Sequence, residues 1–288
     1  MLCNIWTFTC FTAVEWAALS GAVPLRAEST AVLAVRHAEQ LPPVQLQGSL
    51  GGGQAAPPAS MPGMADESTV VDEDVRVAVY RRYAETGLEP TVVGLAEGLH
   101  MGEDAIRIAL RRLAGQRHVV LGSDDRILMA HPFTSAPMGF AVMGDHTLWW
   151  GGCAWDSFAL PHLVPGEPAV LVSTTCPNCH RPLAWTVGRE KPPPGHEVAH
   201  FVTPAAHMWD DVLRTCSNQR IFCDGECVDA WLARESLERG YVMDLPTLWR
   251  LAKGWYAGRL DRGYTRREPA AAADFFHEVG LEGPFWGL

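Results

Sequence analysis

The chain has 288 residues, 48% hydrophobic and 19% charged, which allows a sizeable core and one large domain or two small ones. A formal net charge of −10 argues against nucleic acid or an anionic membrane surface as partner and leaves a small cationic ligand open. The eight cysteines would suggest disulfides only in an exported chain. The apolar first residues have no basic segment, and Glu15 interrupts them, so a cytoplasmic protein with free thiols is expected and no membrane span.

Residues 1–66 carry no core pattern. Pro42 to Pro62 is a Gly/Pro/Ala/Ser linker, so this segment reads as disordered or as an over-extension, with Met61 or Met64 as alternative starts. From Ser68 the pattern changes. Val71, Val75, Val79, Tyr80 and Tyr83 fall at helical spacing until Gly87. Shorter helices fit Val92 to Gly98 and Glu103 to Gly115, and HVVLGSDDRILMA reads as two strands about a turn. Three helices and a hairpin form a winged-helix outline. Between Ser68 and Phe133, however, eight Arg face ten carboxylates, and Glu103 and Asp104 open the third helix, where a reader of DNA would meet phosphate. A packing or docking role is therefore expected of this segment.

Further along, AVLVSTTC, PLAWTVG and HEVAHFVTP read as strands, VDAWLARESLERG as a helix, and LPTLWRLAKGWYAG and PAAAADFFHEVG as helices of an aromatic-rich tail. The rings of that tail are expected to pack onto the core; a lid over a site is the alternative. Gly51 to Gly53 lie in the linker and follow no strand, so they make no phosphate loop.

The chemistry-bearing residues are the cysteines after Leu148. In HTLWWGGCAWDSFALPHLV, Cys153 stands three residues before Asp156, which puts both on one face if a helix starts after Gly152. Alone this pair is a weak signal, because many buried cysteines are merely small hydrophobes. Cys176-x-x-Cys179 and Cys223-x-x-x-Cys227 form a second group, with Cys216 upstream. Two close pairs of this kind resemble a tetrahedral zinc site. None of His162, His180, His196, His200 or His207 stands out as a catalyst, and Asp210-Asp211 reads as a solvated pair.

The run WWGGCAWDSFALP, followed by AVLVSTTC and then RIFC, resembles the alkylmercury (organomercurial) lyases of bacterial mercury resistance over roughly Val70 to Leu232. The resemblance implies that Cys153 and Asp156 occupy the family's Cys-Ala-x-Asp motif, that Cys223 after Ile221-Phe222 is the second essential cysteine, and that Cys176 has a structural role. It implies a winged-helix-like domain without DNA-binding duty. It also implies a small organomercury substrate, no cofactor required for catalysis, Hg(II) as bound product on Cys153, Cys223 and Asp156, and mercuric reductase or cellular thiols as acceptors. The chain departs from the family at Asp224, where a second Cys is common, at Cys179, Cys216 and Cys227, and in the tail beyond Asp244.

The expected fold class is α+β, with four segments. They are 1–66, the disordered or over-extended segment and linker; 67–133, a winged-helix-like three-helix domain; 134–243, the lyase domain on a mixed or antiparallel sheet with flanking helices; and 244–288, the aromatic-rich helical extension. Cys176, Cys179 and Cys227 are candidates for a structural zinc. Two rivals remain open: a non-enzymatic protein with zinc on Cys176, Cys179, Cys223 and Cys227, and a metal-responsive winged-helix regulator. The zinc reading conflicts with catalysis only if it takes Cys223, because a thiolate closed in a zinc cage cannot bind mercury.

Overall fold

The computed structural model describes residues 67–288. Cys3, Cys10, the linker and the alternative starts Met61 and Met64 lie outside the described residues. Three helices come first: α1 (Glu67–Thr86), α2 (Val92–Leu99) and α3 (Glu103–Gly115). The apolar positions of α1 that mark its helical period, Val75, Val79, Tyr80 and Tyr83, are all fully buried. Gly87 ends the helix at φ +71, and a Cβ there would overlap the Leu148 carbonyl, so both the turn and the close approach require glycine.

Seven strands then build one antiparallel sheet in the order β1-β2-β3-β5-β4-β6-β7. They are β1 (Val120–Leu121), β2 (Ile127–Ala130), β3 (Phe133–Thr134), β4 (Phe140–Met143), β5 (Leu148–Gly151), β6 (Ala169–Thr175) and β7 (Pro182–Gly188). A second, three-stranded antiparallel sheet runs β10-β8-β9, from β8 (Val198–Phe201), β9 (Gln219–Phe222) and β10 (Tyr241–Asp244). Every strand pairing among the described residues is antiparallel. The class is therefore α+β. The β1–β2 hairpin follows the three helices in the expected order, but it is not a free wing. β2 pairs with β3, and β3 with β5, so the sheet runs without a break across residue 133.

Between the sheets lies α4 (Ala154–Leu163), which is buried at every position from Ala154 to Pro161. A helix apolar all round belongs in an interior. It packs on α7 (Leu245–Trp255) and on strands of both sheets. The remaining helices are α5 (Val212–Ser217), α6 (Gly225–Glu235) and α8 (Ala273–Glu278). The aromatic tail packs inward, as the ring count suggests: Trp155 of α4 sits 4.8 Å from Trp255 and 6.2–6.3 Å from Phe276 and Trp286, measured between ring centroids.

Buried charge also holds the first helices to the rest. Arg76 is 1% exposed; it pairs with Glu73 and donates to the Arg259 and Asp261 carbonyls. Arg112 forks onto Asp72, and Arg111 onto Asp125 of the β1–β2 turn. Arg76, Arg111 and Arg112 are thus spent on carboxylates and carbonyls of the same chain.

Candidate active site

The first site residue follows directly from β5. Gly151 and Gly152 let the chain turn tightly into α4, and Cys153 becomes the N-cap, with extended backbone and its sulfur accepting the Asp156 N–H at 3.4 Å. A Cβ on Gly152 would lie 2.5 Å from Asp156 Oδ2 and 2.7 Å from Met129 Cε, so the carboxyl occupies the space that glycine leaves. Ser157 Oγ donates to the Cys153 carbonyl at 2.6 Å and closes the turn. The Cys-x-x-Asp spacing therefore brings thiol and carboxyl to one face at the positive end of a helix.

The second thiol beside them is Cys216, on the last turn of α5. Its sulfur hydrogen-bonds that of Cys153, lies 3.4 Å from His131 Nε2, and falls with His131 and Asp156 in a group whose ligating atoms are all within 4.8 Å of one another. A cavity of about 40 Å³ opens among Cys153, Asp156, Cys216, His131, Tyr256 and Arg259. Cys223, which the Phe-Cys context nominated, stands elsewhere. It ends β9 and joins Cys176, Cys179 and Cys227, with all four sulfurs within 4.8 Å of one another. The expected partner of Cys153 is thus grouped with three other thiols, while Cys216 lines the pocket beside Cys153. β9 has four residues between Asn218 and Cys223, so residues 216 and 223 lie beyond its opposite ends.

Asp156 is fully buried. Burial pushes its carboxyl up to about 6, against hydrogen bonds from Tyr256 and Cys153 that pull it down. Tyr256 OH donates to Oδ1 through a short bond, while Oδ2 has no hydrogen-bond partner among the described residues. Burial likewise raises the Cys153 thiol well above its ordinary value, aided by Cys216 and the Asp156 charge. At Cys216 the bond from Cys153 pulls down, burial and Asp156 push up, and the net is upward. His131 is driven to about 3 by burial, with Arg259 and Arg266 adding to the effect, and is therefore a neutral imidazole able to accept from a thiol. Arg259, 3% exposed, holds the His131 carbonyl at 2.6 Å and lies 4.6 Å from the Tyr256 ring centroid. The resting site thus holds neutral thiols, a neutral phenol, a neutral imidazole and a carboxyl raised to about 6.

Sequence reasoning missed His131, Tyr256 and Arg259, and set Cys216 aside. No local motif marks them, since they come from the β2–β3 turn, the end of α7 and the segment beyond it. Nor does composition single them out, because Arg250, Lys253, Asp261 and Arg262 stand in the same run. The tail is thus both core packing and pocket wall. Of the adjacent acids, Asp210 pairs with His207 and Asp211 caps α5, each facing its own local partner.

Residues 133–257 match the MerB family model, described as alkylmercury lyase. Among solved structures, the crystal structure of the mercury-bound form of MerB2 is similar at 16% identity with a TM-score of 0.49, over 63% of this chain and 95% of that one. No curated protein matches the chain. The matched stretch, 133–257, carries Cys153, Asp156, Cys216 and Tyr256.

Proposed function

We propose that this protein is an organomercurial lyase that cleaves the carbon–mercury bond by protonolysis, and that Cys153, Cys216 and Asp156 carry the reaction. The observation that supports it best is the convergence of two thiols on one unpartnered carboxyl oxygen in a single buried pocket. Mercury is a soft cation and prefers sulfur. The first thiol binds R–Hg⁺ and releases its proton to solvent as the Hg–S bond forms. The second thiol then adds, and its proton passes to the Asp156 carboxylate. Two sulfur ligands raise electron density on the carbon. The Asp156 carboxyl returns the proton to that carbon as the Hg–C bond breaks, giving R–H, Hg(II) on two thiolates and a carboxylate. Tyr256 holds Oδ1, leaving Oδ2 for the proton, and neutral His131 stays beside the Cys216 sulfur as a hydrogen-bond partner.

The same reading covers the setting. The six described cysteines are free, which suits a reducing cytoplasm, and no described helix is long and apolar enough to cross a membrane. Mercuric reductase or cellular thiols are the proposed acceptors of Hg(II). The winged-helix-like segment serves packing here, because Arg76, Arg111 and Arg112 are paired within the chain and not displayed to phosphate.

Hydrocarbon release from methylmercury by the purified protein in excess thiol is the test. Cys216→Ala is expected to lower the rate by more than about a hundredfold, and Cys223→Ser to leave it within about threefold. The reverse pattern would return the second sulfur to Cys223 and end this assignment.

A further inference from the structure

The four sulfurs outside the pocket stand in a built arrangement. Cys176 and Cys179 sit on the turn between β6 and β7. That turn is closed by the Cys176 N–H to the Arg181 carbonyl at 2.9 Å and the His180 N–H to the Cys176 carbonyl at 3.0 Å, with His180 in left-handed backbone at φ 59. Cys223 ends β9, and Cys227 lies in the first turn of α6, where Asp224 caps the helix by accepting the Cys227 N–H at 2.8 Å. Arg234 of α6 reaches across to the Pro177 carbonyl and Asn178 Oδ1 at 2.8 and 2.9 Å, holding the two turns face to face.

All four Sγ atoms lie within 4.8 Å of one another, and Cys179 and Cys223 approach to 3.4 Å although 44 residues separate them. A tetrahedral zinc with Zn–S bonds of about 2.3 Å places its sulfurs about 3.8 Å apart, so these positions need shift by no more than about 1 Å relative to one another to ligate. Cys176 and Cys223 are buried, Cys227 is half-buried and Cys179 is exposed, which leaves a path for the ion at the surface.

We infer that Cys176, Cys179, Cys223 and Cys227 form a closed four-thiolate zinc site that cross-links the two sheets. Four sulfur donors and no vacant position select a structural zinc over an oxygen-loving cation. Each thiol loses its proton to solvent as the ion binds, and no oxidant or reductant takes part. The ion anchors one end of β9, and the other end of that strand leads back to Cys216.

Elemental analysis of the full chain, purified with reductant and without added metal, tests this. About one zinc per chain is expected, and Cys179→Ser and Cys227→Ser should each lose it at least tenfold, while Cys153→Ala and Cys216→Ala keep it. Should the serine variants fail to fold, cobalt exchanged into the wild-type chain replaces them, with the intense visible bands of a tetrahedral thiolate site expected. Zinc-free folded protein, iron in place of zinc, a Cys179–Cys223 disulfide in the reduced preparation, or featureless cobalt spectra would overturn the inference. Hydrocarbon release plays no part in these readouts. A zinc-loaded chain without lyase activity would leave this site standing and remove only the function proposed above.

Discussion

Replacing Asp156 by Asn makes a sharp prediction, because the carboxyl is fully buried and its folded-state pKa is raised. The pKa moves from 3.8 in the reference state to about 6 in the fold. A raised carboxyl pKa means that ionisation works against folding. The penalty is absent below the unfolded value, grows as pH rises through the window between the two values, and is complete above the folded one. At about 1.36 kcal/mol per pH unit, the carboxylate costs about 1 kcal/mol near pH 4.5 and about 3 kcal/mol near pH 7. Asn is close to isosteric, can still accept from Tyr256 OH through its carbonyl, and carries no charge. The stability of Asp156→Asn relative to wild type should therefore rise by about 2 kcal/mol between those pH values. Urea unfolding followed by tryptophan fluorescence at several pH values measures it. Hydrocarbon release by the same variant should fall by at least about a hundredfold, since an amide delivers no proton. Parallel pH profiles for the two proteins would refute the buried-carboxyl reasoning, and retained protonolysis would refute the role of Asp156 as acid.

Tyr256→Phe removes the donor that favours the carboxylate, so the proton affinity of Asp156 should rise by about tenfold. The limb of the hydrocarbon-release pH profile that reports Asp156 should move upward from about 6, and a limb that stays put or moves down would contradict the assignment. Gly152→Ala puts a Cβ 2.5 Å from Asp156 Oδ2, so the carboxyl must swing off the thiol side. Release should drop at least about tenfold with far-ultraviolet circular dichroism unchanged, and full activity would show that the carboxyl position is not tightly set.

Much of the architecture is legible without coordinates. The first three helices, α6 to α8 and about half of the strands follow from apolar periodicity and glycine punctuation: Gly87 ends α1 as its place after Tyr83 suggests, and the β6 and β7 runs pair. Cys153 and Asp156 are readable for the same reason, because three residues on a helix is a short-range relation that chain geometry enforces. The second thiol is a long-range matter. Cys216 and Cys223 flank the same four-residue strand in similar apolar surroundings, and the Phe-Cys context pointed to Cys223. Which end of β9 meets α4 depends on how the three-stranded sheet docks on the seven-stranded one.

By itself, then, the order of residues determined the local elements, the acidic surface unsuited to phosphate, the thiol–carboxyl pair at the start of α4, and the two pairs of zinc-like spacing. Only the tertiary structure decided which cysteines share a site, that Tyr256 and His131 complete the pocket, and that the aromatic tail walls it. The physical reason is range. Backbone hydrogen bonding and side-chain period act over a few residues, whereas sulfur-to-sulfur proximity across 63 positions is set by the packing of two sheets about one buried helix, for which no short stretch of sequence carries a code.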